Sequence, residues 1–191
     1  MNVALKTTWT IEEFLAWEER QEFKYEFDGI QPVAMSGGTV AHDAIQINII
    51  SEMRSLLRGK PCRLRGNSLK IHVMGSIRYP DAFVTCTPIQ RDSLVVYEPV
   101  VIFEVLSKST EHTDRSVKNR EYAGTASVRR YIILEQVAMK GTMYTRSVDG
   151  VDWRGETLGA DAVLHMPEIG VDLPLAALYA DVDFSLPSIE E

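Results

Sequence analysis

Cysteine is scarce, with Cys62 and Cys86 the two in 191 residues. Such scarcity excludes a secreted scaffold built on disulfides, and the pair is expected as two ordinary buried thiols of a reducing compartment. Long apolar runs are missing too. No stretch approaches the roughly 18 apolar residues of a membrane span, and Met1 to Thr8 lacks the basic segment and apolar run of a signal peptide. A cytoplasmic protein with no membrane contact is expected. Zinc-type Cys/His spacing, a phosphate-binding glycine loop, a dinucleotide fingerprint and a Gly-x-Ser-x-Gly elbow are all absent. Their absence narrows the enzymatic options to carboxylate and metal chemistry.

What is present is the composition of an ordinary globular domain, 45% hydrophobic and 25% charged. Repeats, linkers and low-complexity segments do not interrupt it. One domain over 1–191 is expected, with a core at about 10–145 and an acidic extension at about 146–191. A net charge of -7 argues against adhesion to nucleic acid by bulk charge. The charge is strongly segregated, however. Between Met53 and Pro80 stand seven basic residues, Arg54, Arg58, Lys60, Arg63, Arg65, Lys70 and Arg78, and no Asp or Glu. From Ser147 onward ten carboxylates face only Arg154, and those after Pro187 are expected to fray. Two solvated faces of opposite sign fit this pattern, and so does a basic groove for a polyanion with an acidic face turned away from it.

Local signals supply the elements. Thr10-Ile11-Glu12-Glu13 is a capping box opening a helix of about three turns. Alternation over Phe23–Phe27, then Asp28-Gly29, then Ile30 to Met35 predicts a hairpin with a two-residue turn. Ile45, Ile49, Met53, Leu56 and Leu57 fall on one face of a long helix from about Thr39 to Arg58, closed by Gly59 and Pro61. Cys62 to Arg65, Leu69 to Val73 and Ile77 to Cys86 read as a three-stranded meander. Pro99 to Leu106 is apolar except for one carboxylate, the pattern of a central strand buried on both faces. A helix over Asp114 to Tyr122, strands over Arg130 to Leu134 and Met139 to Tyr144, weaker β signals near Val151 to Leu158 and a short helix near Pro174 to Tyr179 complete the chain.

Glu104 is the informative residue. A carboxylate inside an apolar central strand costs several kcal/mol unless something neutralises it. A buried ion pair or an open strand end would serve, and so would a metal. Tyr79-Pro80-Asp81 sets a second carboxylate at the entrance of another apolar strand. Two carboxylates from neighbouring strands can converge on one oxygen-ligated divalent cation, with Mg²⁺ expected and Mn²⁺ acceptable.

Pro80-Asp81, then Val101 to Thr110 around Glu104, then Asp114-Arg115 with Lys118 and Tyr122, resemble the Uma2 family, a branch of the PD-(D/E)XK nuclease superfamily. Tyr25-Glu26-Phe27-Asp28-Gly29, His42 and the strand Arg130 to Leu134 extend the likeness over roughly Thr10 to Tyr144. The resemblance implies an α/β, mixed α+β fold: a restriction-endonuclease-like core with a central mixed sheet flanked by helices, preceded by an N-terminal helix and hairpin. It also implies a metal between Asp81 and Glu104 and a lysine beside the nucleophile. Here the chain departs from the standard motif, because Leu106 stands where the lysine of an E-x-K sequence would be. The role passes by resemblance to Lys118 on the following helix.

The same resemblance brings Glu26 near the site as a third ligand, although alternation in a half-exposed hairpin explains a polar residue there equally well. His42 is an accessory candidate for phosphate or water, or a surface residue at a helix start. Tyr122 and Asp114 are accessory through their shared helix face with Lys118. Among the secondary candidates, Lys108 and His112 contact phosphate or are simply solvated, and Arg129 and Arg130 extend the basic surface or flank a strand start. The leading expectation is a Mg²⁺-dependent endonuclease acting on DNA, with RNA still open, through Asp81, Glu104, Lys118 and Glu26. A homodimer is the simplest way to cut two strands with one site per chain. The alternative is a nuclease-fold protein without useful catalysis that serves as a nucleic-acid-binding or oligomeric partner.

Overall fold

The computed structural model describes residues 9–107 and 111–185. Lys108, Ser109, Thr110 and the acidic residues after Pro187 lie outside the described residues.

The capping box forms as its sequence dictates. Thr10 Oγ1 accepts from Glu13 N–H at 3.2 Å, the Glu13 carboxylate accepts from Thr10 N–H at 2.9 Å, and α1 runs over Ile11–Glu18. Its buried Phe14 stacks on Phe27 at 5.2 Å between centroids. The hairpin that follows pairs β1 (Tyr25–Phe27) with β2 (Pro32–Ala34), and Phe27 faces Pro32. Asp28 N–H donates to the Gln31 carbonyl at 3.4 Å, so the turn has two residues at its tip as expected, Gly29 and Ile30 rather than Asp28 and Gly29. Asp28 Oδ1 accepts from the N–H of Ile30 and of Gln31, both at 2.8 Å, so the side chain turns the backbone before the second strand can start.

Helix α2 spans Val40–Leu56, capped by Thr39, and buries Ile45, Ile49 and Met53 as their spacing predicts. Each fully buried side chain of this kind contributes about 1.5–3 kcal/mol. Then come β3 (Arg63–Gly66), β4 (Lys70–Val73), β5 (Ser76–Arg78) and β6 (Ala82–Thr85). They are not a meander. β3 pairs with β6, and β4 with β5 in a different sheet. The run Ile77 to Cys86 is therefore two strands. Pro80, which has no N–H to give a ladder, stands in the connection between them, and Asp81 immediately precedes β6.

Two ordered strands follow, β7 (Val95–Val96) and β8 (Pro99–Val105), then a π-helical segment Thr113–Lys118 running into α3 (Asn119–Gly124). The helix expected over Asp114 to Tyr122 is present, but its first half is wound wider than an α-helix. β9 (Arg130–Leu134), β10 (Gly141–Arg146) and β11 (Trp153–Leu158) extend the sheet, and β12 (Val163–Met166) pairs with β13 (Val171–Pro174) ahead of a short helix Leu175–Tyr179.

The larger sheet has six strands in the order β11-β10-β9-β8-β6-β3, with β8 and β9 parallel and the other pairs antiparallel. The smaller has five, β2-β1-β5-β4-β7. β8 is interior, as its apolar run predicts. On one face Val101, Phe103 and Val105 pack with Ile45, Ile49 and Met53 of α2, and on the other Ile102 packs with Tyr122 and Tyr131. Because side chains alternate along a strand, Glu104 shares the Ile102 face and looks toward α3 rather than α2.

The expectation of two free thiols is corrected. Register sets Arg63 opposite Thr85, which brings the next pair outward, Cys62 and Cys86, to a Cα separation of 4.0 Å, and they are joined as a disulfide. Among the described residues no helix is long and apolar enough to cross a membrane.

Candidate active site

Ala82 pairs with Phe103 across β6 and β8, so the residues just beyond them, Asp81 and Glu104, meet at one end of the sheet. Asp81 Oδ2 accepts from the N–H of Val105 at 2.7 Å and lies 3.2 Å from His42 Nε2, while Gln46 Nε2 donates to the Asp81 carbonyl at 3.0 Å. His42 and Gln46 are one turn apart on α2, so a single helix face flanks Asp81.

Glu104 is 4% exposed. Its Oε1 accepts from Lys118 Nζ at 2.9 Å and from the Tyr122 hydroxyl at 3.2 Å. Lys118 is buried as well and stands 3.0 Å from Asp114 Oδ1 and 3.6 Å from Glu26 Oε1. The Asp114–Lys118 pair is therefore an interior one, and the i, i+4 spacing that on a surface would be worth only tenths of a kcal/mol here builds the floor of a site. Tyr131 donates its hydroxyl to the Asp114 carbonyl at 3.1 Å, which anchors the π-helical segment to the sheet.

Glu26 reaches the cluster but is tied. Its carboxylate accepts from Arg78 Nη1 at 3.0 Å and from Tyr79 N–H at 2.9 Å. Arg78 in turn donates to Glu121 at 2.7 and 2.6 Å, and Ser76 donates to the same carboxylate at 2.8 Å. Arg78 is 2% exposed and does not join a basic surface. Nor does Lys70, which is buried against Glu18 at 2.5 Å. The basic stretch is thus divided into two interior cations and an outer group. Of the secondary candidates, Arg130 pairs with Glu168 at 3.1 Å and Arg129 donates to the Ser147 carbonyl at 2.9 Å, so each already has a structural partner.

Electrostatics follow from this excess of carboxylates. Burial pushes the Glu104 carboxyl well up, and Asp114, Asp81 and Glu26 add to the rise while Lys118 opposes it. For Lys118 burial works against the charge, yet Glu104, Glu26 and Asp114 more than restore it, so the ammonium is held charged. Glu26 is also pushed up by burial but stays below the usual carboxylate range, held there by Lys118, Arg78 and the Tyr79 N–H. Burial lowers the His42 imidazole, but Asp81, with Asp43 and Asp114 behind it, more than offsets that, so it binds its proton more tightly than a free histidine.

These residues suit a hard cation. Glu26, Asp81, Glu104, Asp114 and Glu121 face two permanent positive charges, Lys118 and Arg78, and positive charge is what the site lacks. Asp81 and Glu104 offer oxygen donors from adjacent strands, the number of carboxylates with which Mg²⁺ is commonly held when water and substrate complete its shell. Among the described residues no group of three His, Cys, Asp or Glu side chains is arranged as a metal cage.

Sequence reasoning named Asp81, Glu104, Lys118, Glu26, His42, Tyr122 and Asp114, and the structure brings all seven together. It missed Gln46, which its position one turn after His42 could have revealed. It also missed the Arg78–Glu121 support of Glu26, although Arg78, like Glu104, is a charge inside a strand pattern.

A mixed sheet flanked by helices, with a carboxylate cluster at one strand end, defines a restriction-endonuclease-like fold. The family model described as "Uma2: Putative restriction endonuclease" matches residues 11–176, and the chain belongs to that family. It is 33% identical over 177 residues to an uncharacterized protein of Synechocystis sp., covering 91% of this chain and 92% of the relative. A crystal structure from Anabaena variabilis, titled as a putative nuclease belonging to DUF820, superposes with a TM-score of 0.71 at 16% identity, over 90% of this chain and 98% of the other. That likeness is one of fold.

Proposed function

We propose that the chain is a metal-dependent endonuclease that hydrolyses DNA phosphodiester bonds at Asp81, Glu104 and Lys118. The observation carrying the proposal is the ammonium of Lys118 standing 2.9 Å from Glu104 at the strand end where Asp81 also lies. Leu106 leaves the usual lysine position apolar, and the neighbouring helix supplies the cation instead.

Asp81 and Glu104 would hold Mg²⁺ or Mn²⁺. When bound, such an ion polarises a phosphoryl oxygen and makes its water a better nucleophile. The Val105 N–H fixes the Asp81 carboxylate, and the Tyr122 hydroxyl fixes that of Glu104, so neither needs to reorganise during the reaction. Lys118, held charged, orients the attacking water and offsets negative charge that grows on the phosphoryl oxygens. It does not remove a proton; the attacking water would lose its proton to solvent water, at a pKa that the bound cation would lower. Glu26, pinned by Arg78, positions Lys118. His42 lies beside Asp81 on the less buried side of the site, with 16% of its side chain exposed, and there it can contact a phosphate or deliver a proton to the leaving oxygen. One such site per chain cuts one strand at a time, so a homodimer is the simplest arrangement for a break in both strands.

A second reading has an observation in its favour. Lys118 already satisfies Glu104, and such a closed ion-pair network is what a nuclease fold retained only for binding would keep. Incubation with supercoiled plasmid and with a short RNA, in Mg²⁺, Mn²⁺ or EDTA, separates the two. Nicking that requires the metal and vanishes in Glu104→Gln supports the proposal, and a plasmid left intact under every condition overturns it.

A further inference from the structure

The outer group of basic residues is not scattered. Arg54, Arg58, Arg63 and Arg65 line one cleft of about 550 Å³ between the C-terminal half of α2 and β3, together with Ile50, Leu57, Cys62 and Gly66. No carboxylate lines it, and none of the four arginines has a carboxylate partner among the described residues. Arg63 donates to the carbonyls of Lys60 and Cys62, which orients the guanidinium without neutralising it. β3 is an edge strand, and charges there also discourage pairing with another sheet. Edge protection does not account for Arg54 on α2 or Arg58 just beyond it.

The cleft and the carboxylate site share α2 and lie on neighbouring strands, β3 and β6. Gly66 of the cleft pairs with Ala82, the residue after Asp81, and Ile50 packs on Gly66. On α2 the successive turns His42, Gln46, Ile50 and Arg54 lead from Asp81 into the cleft. Twelve residues of helix carry that path about 18 Å, equivalent to roughly five nucleotide steps at 3.4 Å per step of duplex axis.

Resting on the nuclease reading, we infer that this cleft is a backbone-binding subsite: Arg54, Arg58, Arg63 and Arg65 hold the phosphates of duplex DNA about five nucleotides from the scissile bond. The chain's net charge of -7 repels DNA elsewhere, so the unpaired arginines set both affinity and the direction in which the strand leaves the site.

Fluorescence anisotropy with a labelled duplex of about 20 bp in EDTA, across a salt series, tests this without requiring cleavage. The double variant Arg54→Ala/Arg58→Ala should lower the slope of log K against log salt by about 1.8, since each phosphate contact contributes about 0.9. At 0.1 M salt that corresponds to about 60-fold weaker binding. Arg154→Ala, at the opposite edge of the six-stranded sheet, should leave the slope unchanged, and thermal melting should confirm that both variants fold. A double variant with the wild-type slope overturns the subsite, as does a wild type that shows no salt-dependent binding. Wild type that binds as described yet cleaves nothing with Mg²⁺ or Mn²⁺ overturns the nuclease reading and leaves the subsite standing.

Discussion

Replacing Lys118 by methionine keeps the length of the side chain and removes its charge from a position 5% exposed. The ammonium lies 2.9 Å from Glu104, 3.0 Å from Asp114 and 3.6 Å from Glu26, so three buried carboxylates lose a shared partner. Removing one member of a buried ion pair costs about 3–5 kcal/mol, a large share of the roughly 5–15 kcal/mol that holds a domain folded. At 2–4 °C per kcal/mol for a chain of this size, Tm at neutral pH should fall by roughly 6–20 °C. The deficit should shrink on acidification. Without Lys118 the folded-state pKa of Glu104 stands still further above its unfolded value, and stability returns as pH falls through the folded-state value. Adding Glu104→Gln should recover part of the loss, with a coupling of about 0.5–3 kcal/mol in a double-mutant cycle. Cleavage by the single variant, measured well below its Tm, should drop by roughly 10²-fold or more, as for loss of a positioned electrostatic group. Thermal melts followed by circular dichroism supply the stability arm. A Tm within about 2 °C of wild type, or strict additivity in the cycle, would refute the reasoning, because neither is compatible with an ammonium shared among buried carboxylates.

Arg78→Lys retains the charge but cannot fork between Glu26 and Glu121; chemical denaturation should report a loss of at least about 1.5–3 kcal/mol, and an unchanged midpoint would contradict the network. Reduction of Cys62–Cys86, which closes a separation of 24 residues, should cost about 3 kcal/mol of stability, read as a lower denaturation midpoint in dithiothreitol that Cys62→Ser reproduces in air. Tyr79, Tyr122, Tyr131 and Tyr179 are all raised, first by burial. Their folded pKa values exceed the unfolded value near 10, so their contribution to stability is complete below it and is lost as pH rises from there toward the folded values. Ultraviolet titration should show these four phenols ionising together with loss of near-ultraviolet circular dichroism, and their smooth ionisation in the intact fold would contradict the burial.

Much of this architecture is legible locally. The Thr10–Glu13 box, the α2 spacing and the β8 run each depend on residues within a few turns of one another, and each forms where the pattern sets it. Pairing is another matter. Nothing local distinguishes a meander from β3 on β6 and β4 on β5, since the partner of a strand is fixed by non-local packing. The change of sheet at Pro80 was visible as a proline and invisible as a corner, and the apposition of Cys62 and Cys86 follows only once the β3–β6 register is known. The site divides in the same way. Glu104 and Asp81 stand out as charges at apolar strands, and Lys118 stands out through family order. Arg78 looked like one more basic residue in a basic run, because net charge along a sequence carries no information about which cations are interior.

Crystals soaked in Mn²⁺ and measured for anomalous scattering address the central claim most directly. A single peak within about 2.0–2.6 Å of carboxylate oxygens from both Asp81 and Glu104 is the predicted result, and it should disappear in Glu104→Gln crystals of the same form. A peak bound elsewhere, or none at saturating Mn²⁺ with the site open to solvent, would contradict the assignment of these two carboxylates as the metal centre.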